Sequence, residues 1–74
     1  MYAIITGDNR YLQKFNNVNF SLTEDLDKAN HYSKFDDNMR DVDLQVARFY
    51  FCGGARIIHI EKVLVEKWVE SIPF

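Results

Sequence analysis

Phe35-Asp36-Asp37-Asn38-Met39-Arg40-Asp41-Val42-Asp43-Leu44-Gln45-Val46-Ala47-Arg48-Phe49-Tyr50-Phe51 is the stretch whose reading decides the fold. Phe35, Met39, Val42, Val46 and Phe49 recur at intervals of 4, 3, 4 and 3, the spacing of an apolar stripe along one face of an α-helix. Asp36 or Asp37 is placed to cap its start, and Gly53-Gly54 supplies a left-handed stop. At about 100° per residue, Asp37, Asp41 and Arg48 fall opposite the stripe, with Leu44 and Phe51 beside that polar face. The spacing therefore predicts a helix that turns its Phe35–Phe49 stripe toward the core.

Upstream, the pattern changes to strands. Tyr2 to Thr6 is a β-branched and aromatic run closed by the turn residues Gly7-Asp8-Asn9, and Arg10 to Phe15 can return antiparallel to it. Asn16-Asn17 suits a tight hairpin, after which Val18, Phe20 and Leu22 alternate with polar residues as a third strand. Ser21-Leu22-Thr23-Glu24 fits a capping box, so a short helix over about 24–30 is expected, with Leu26 and Ala29 inward. Downstream, Ala55 to Glu66 is rich in Ile and Val and reads as a strand, with Glu61-Lys62 as a bulge or break. Residues 68–74 read as a C-terminal tail, since Pro73 does not continue a central strand. The expected fold class is α+β: a small antiparallel sheet in β-β-β-α-α-β order with two helices on one face, all in a single domain over 1–74.

Seventy-four residues allow one small core, and such chains usually need a disulfide, a metal or a partner chain to add stability. One cysteine, Cys52, excludes an internal disulfide framework and fits a reducing compartment. His31 and His59 are 28 residues apart with no ligand spacing, so no metal and no cofactor is expected. Self-association is the remaining route. No apolar run approaches the ~20 residues of a membrane span, and Met1 to Asp8 lacks the basic and apolar regions of a secretory leader.

Charge is unevenly distributed. Residues 24–43 carry seven acids (Glu24, Asp25, Asp27, Asp36, Asp37, Asp41, Asp43) against Lys28, Lys34 and Arg40, a net −4, while the whole chain is −2. An acidic centre disfavours a reader of phosphate backbones and suits a basic protein surface. No nucleophile, base and orienting group assemble into a catalytic set, so a non-enzymatic protein is expected. Asp36-Asp37 reads as helix capping, and Cys52 at a helix C-terminus is not an activated thiol. The candidate contact residues are the acids Asp25, Asp27, Asp37 and Asp41, the neighbouring Leu44 and Phe51, and Trp68, Ile72 and Phe74 of the tail.

Tyr2-Ala3-Ile4-Ile5, Arg10-Tyr11-Leu12 and the run Phe20-Ser21-Leu22-Thr23-Glu24-Asp25-Leu26-Asp27-Lys28-Ala29-Asn30-His31-Tyr32, followed by a longer helix and a β-rich end, resemble small host-takeover proteins encoded by phages of Gram-positive bacteria. Within that group the chain resembles the sliding-clamp inhibitors of Twort-like staphylococcal phages. The resemblance implies a homodimer in the host cytoplasm that fills the basic DNA channel of the bacterial DNA polymerase sliding clamp and so blocks replication. Ile72-Pro73-Phe74 partly matches the aliphatic-x-Phe ending of clamp-docking peptides, although Val69 stands where those carry Gln. Two other readings stand beside it. One is an inhibitor of a host nuclease or defence complex (an anti-CRISPR-like DNA mimic); the other is a small nucleic-acid module using Arg48, Arg56, Lys62 and Lys67.

Overall fold

The computed structural model describes residues 1–16, 19–51, 54–64 and 66–71. The expectations placed on Asn17, Val18, Cys52, Gly53, Val65, Ile72, Pro73 and Phe74 lie outside the described residues. The chain forms β1 (Tyr2–Ile5), β2 (Tyr11–Lys14), β3 (Phe20–Thr23), α1 (Asp37–Tyr50), β4 (Arg56–Val63) and β5 (Lys67–Glu70). The strands make an antiparallel sheet in the order β3-β2-β1-β4-β5. The α+β class and the three-stranded start hold.

The second expected helix is absent among the described residues. Ser21 and Thr23 are paired in β3, opposite Gln13 and Tyr11, and do not cap a helix. Residues 24–30 instead form turns held by their own polar side chains. The Asp25 amide donates to Thr23 Oγ1 at 3.1 Å, and the Asp27 amide donates to Asp25 Oδ1 at 2.9 Å. Such short-range bonds compete with helix formation, and a seven-residue segment is too short to offset the cost of helix nucleation.

This turn segment does not share a face with α1. Leu26 packs on the sheet face formed by Ala3, Ile5, Ile58 and Ile60, whereas Ile4, Leu12, Tyr32, Leu44, Ala47 and Ala55 build the core on the other face. The chain crosses from one face to the other where β1 and β2 splay apart. There the Asn30 amide donates to the Leu12 carbonyl at 3.0 Å, and Tyr2 and Tyr32 exchange two backbone bonds of 2.7 Å. Central strand β1 is thus covered on both faces, which is why Ala3, Ile4 and Ile5 are all buried.

Two further corrections concern the C-terminal third. The break is not at Glu61-Lys62, both of which pair with β5. It falls at Leu64 and Glu66, which take left-handed backbone (φ 57° and 70°) and turn the chain into β5. Residues 68–70, read as part of a tail, therefore belong to an edge strand that begins at Lys67, with Trp68 packed on the Leu26 face. At the end of α1, Gly54 has φ +99°, and a Cβ there would meet Gly7 Cα at 3.4 Å. The left-handed backbone calls for glycine at that position, while the distance to Gly7 is an ordinary van der Waals contact.

Candidate functional site

Helix α1 sits on the sheet the other way round from its pattern. The face it buries carries Asp43, Leu44 and Ala47, and half-buried Phe51 packs against the same core. Leu44 is 8% exposed and Ala47 fully covered. Leu44 and Phe51 therefore line the core and do not lie beside the polar face, which leaves Leu44 little surface to offer a partner. Phe35 and Phe49 are 81% and 80% exposed, and Val42 61%; Met39 and Tyr50 also face outward. Only Val46 of the stripe is half-buried.

Two physical features account for this orientation. The sheet face under α1 already holds Tyr32, Tyr2, Phe20 and Leu22, so it accepts a small residue such as Ala47 at closest approach more readily than a row of Phe and Met. Asp43 is also anchored. It is 2% exposed, accepts the Tyr32 hydroxyl at 2.7 Å, and is ion-paired to Lys14 Nζ at 3.4 Å. Asn30 completes the set, donating from Nδ2 to the Tyr32 hydroxyl oxygen at 3.4 Å and accepting the Lys14 amide on Oδ1 at 3.3 Å. Burial, and then the bond to Asp43, push the Tyr32 phenol well above its ordinary value, so it remains a donor at neutral pH. Rotating α1 to bury the stripe would break this set and leave a carboxylate without its partners.

Asp36 stands at the N-cap position of α1, but neither its carboxylate nor that of Asp37 makes the expected side-chain capping bond. Asp36 directs its carboxylate back to Ser33, accepting the amide at 2.8 Å and the hydroxyl at 3.0 Å, and those bonds hold it below the usual carboxylate range. Asp37 accepts the adjacent Asn38 amide from within the first turn.

The outward stripe is bordered by two open grooves. One, of ≈490 Å³, runs between α1 and the β2–β3 side of the sheet and is lined by Lys14, Phe20, Met39, Val42 and Val46, with Asn38 and Asp43. The other, of ≈520 Å³, is lined by Gln45, Val46, Arg48, Phe49 and Tyr50. Exposed apolar side chains gathered on one helix face mark a contact surface more often than singly scattered ones.

The acidic residues divide between the two faces of the sheet. Asp25, Asp27, Asp37 and Asp41 are all exposed. Asp37 and Asp41 lie on α1, whereas Asp25 and Asp27 belong to the turn segment on the Leu26 face. Asp27 also accepts the outward amide of Trp68 at 3.2 Å and so occupies one donor of the β5 edge. Trp68, expected in a contact tail, is half-buried, tilted over the His31 ring at 4.5 Å, with Lys62 Nζ 5.6 Å from its centre. The outward placement of Met39, Val42 and Phe49 escaped the sequence reading. A signal for it was present: Leu44, Ala47 and Phe51 form a second apolar row at intervals of 3 and 4, so the helix has two faces to cover.

Among the described residues, no group of three or more His, Cys, Asp or Glu is placed to hold a metal ion. No described helix is long and apolar enough to cross a membrane. In comparisons with known proteins, the chain matches no family model, no curated protein and no solved structure.

Proposed function

We propose that the protein is a non-enzymatic inhibitor that works by occupying another protein, and that its target is the bacterial DNA polymerase sliding clamp in the host cytoplasm. The observation that carries this reading is the disposition of the 24–43 acids. Asp43 is turned inward and bonded, while Glu24, Asp25, Asp27, Asp36, Asp37 and Asp41 are exposed, distributed between the turn segment and α1 on opposite faces of the sheet. A plug inside a ring meets its lining on several sides, so carboxylates on two faces suit a basic channel better than a single patch would. Opposite charge speeds encounter and fixes orientation, with a strength that falls as salt rises. The resemblance of Tyr2–Ile5, Arg10–Leu12 and Phe20–Tyr32 to phage clamp inhibitors supports the choice of target.

Binding of purified clamp, titrated calorimetrically at rising salt, tests the proposal. The expected result is a complex that weakens with salt and weakens further in the Asp37→Lys, Asp41→Lys double variant with unchanged circular dichroism. No binding to the clamp overturns the target, and affinity indifferent to both salt and charge reversal overturns the acidic mechanism.

A further inference from the structure

We infer that the outer edge of β3 is a docking edge. It takes an extended segment of another protein, apolar at alternate positions and basic at its N-terminal end, as a further antiparallel strand. The inference rests on the sheet edge and stands independently of the clamp reading.

The backbone comes first. β3 and β5 are the outer strands of the sheet. In an antiparallel pair, residues alternately bond to the neighbouring strand and point away from it. The Phe15 amide donates to the Asn19 carbonyl at 2.9 Å. In the same register Ser21 and Thr23 bond to β2, whereas Phe20 and Leu22 turn their N–H and C=O groups outward. The residues opposite them agree: the Leu12 carbonyl and the Lys14 amide point away from β3, and Asn30 takes both. Among the described residues, no group bonds to the outward N–H and C=O of Phe20 and Leu22. The other edge is blunted, because the outward amide of Trp68 donates to Asp27 at 3.2 Å. Phe20-Ser21-Leu22-Thr23 carries neither charge nor proline, the usual protections of an edge strand.

The surroundings then fix the side chains of the occupant. Phe20 and Leu22 pack on the α1 side of the sheet. Residues directly opposite them in an added strand share that face. The one opposite Phe20 adjoins the ≈490 Å³ groove lined by Phe20, Met39, Val42 and Val46, and so covers apolar surface that α1 leaves exposed. Lys14 and Asp43 in the same groove are already paired with each other, so the groove asks for an uncharged side chain. Between these positions the added strand stands beside Ser21 and Thr23, which suits small polar residues. Main-chain bonds and alternate pockets are together the means by which a sheet edge recognises an extended peptide.

Charge sets the end of the segment and the choice of occupant. Glu24 and Asp25, both exposed, follow Thr23 directly. Arg10, just before β2, is already paired with Asp8 at 2.7 Å. In an antiparallel addition the residues preceding the first apolar position come opposite Glu24 and Asp25, where Lys or Arg is favoured. A second copy of β3 would bring Asn16, Asn17, Val18 and Asn19 to that place, with no base among them. The acids therefore favour a different chain.

The probe is the peptide acetyl-Lys-Lys-Thr-Ile-Thr-Ile-Thr-amide, titrated into the isotope-labelled wild-type chain and followed by amide NMR. Saturable shifts along β3 and at Met39 and Val42 are expected, with a Kd of about 0.1–1 mM. Hydrogen exchange should slow about fivefold at the Phe20 and Leu22 amides and stay unchanged at Ser21 and Thr23, which already bond to β2. N-methylation of both Ile amides, which face β3, should weaken binding at least about tenfold. N-methylation of the Thr between them, whose amide points away, should leave affinity within about twofold. Glu24→Lys should weaken binding about threefold with unchanged circular dichroism. Absence of saturable binding up to about 5 mM, or an equal loss from either methylation, overturns the inference. Phe20 and Leu22 amides that become protected as the chain alone is concentrated give the edge to a second copy and overturn the choice of occupant. None of these measurements alters Asp37 or Asp41, so failure here leaves the clamp reading standing, and failure of that reading leaves this one.

Discussion

Replacing Asp43 with Ala tests the contact that sets the orientation of α1. The substitution removes the acceptor of the Tyr32 hydroxyl at 2.7 Å and the ion-pair partner of Lys14 at 3.4 Å. A buried hydrogen bond to a charged group contributes about 1.5–3 kcal/mol. Lys14, with 13% of its side chain exposed, also loses its counter-charge, although the long N···O distance limits that part to about 1 kcal/mol. Better helix propensity of Ala returns about 0.5 kcal/mol. The net expectation is a loss of about 2–4 kcal/mol. A 74-residue chain holds only about 4–11 kcal/mol in total, so the variant should sit near its folding threshold. Urea unfolding followed by Trp68 fluorescence at one fixed protein concentration is the assay. With an m-value of about 1–1.5 kcal/mol per molar, the midpoint should fall by about 2 M. Tyr32→Phe should also destabilise, because it removes the shorter of the two contacts to the buried carboxylate and leaves it only Lys14. The Tyr32→Phe, Asp43→Ala pair should cost less than the two changes summed, by about 1–2 kcal/mol. Single losses under about 0.5 kcal/mol, with no coupling, would refute the claim that this set holds α1 in place.

Two further outcomes follow from the backbone and from the same phenol. Leu64 is 84% exposed and takes φ 57°, so Leu64→Gly should relieve left-handed strain and leave stability level or raise it by up to about 1 kcal/mol in the same urea assay. Tyr32, held by burial and by its bond to Asp43 above the ordinary phenol value of about 10, keeps its proton in the folded chain after the unfolded chain has lost it. Stability should therefore be insensitive to this group below about pH 10 and fall as pH rises beyond it, with a shallower decline in Tyr32→Phe when urea midpoints are compared across that range.

The local elements were legible because they depend on neighbours in sequence. Tyr2–Ile5, Tyr11–Lys14 and Phe20–Thr23 alternate or cluster as strands do, and the 3.6-residue period located α1 to within two residues. The split of the acids was not legible. Asp25 and Asp37 are twelve positions apart in one charged stretch, and only the passage of Asn30–Tyr32 between β1 and β2 sends them to opposite faces. The β4–β5 turn was hidden for a related reason: Leu64 and Glu66 carry no turn chemistry, and pairing of Val63 with Lys67 imposes their backbone.

By itself, then, the sequence determined that a helix forms over these residues, that it is apolar on more than one side, and that an acidic middle separates two nearly balanced ends. Periodicity and composition are properties of the chain and survive any packing. Which helical face turns inward was decided only in the tertiary structure. The largest apolar stripe lost to Leu44, Ala47 and Asp43 because close packing on a crowded sheet rewards small side chains, and because a buried carboxylate has to stay with Tyr32 and Lys14.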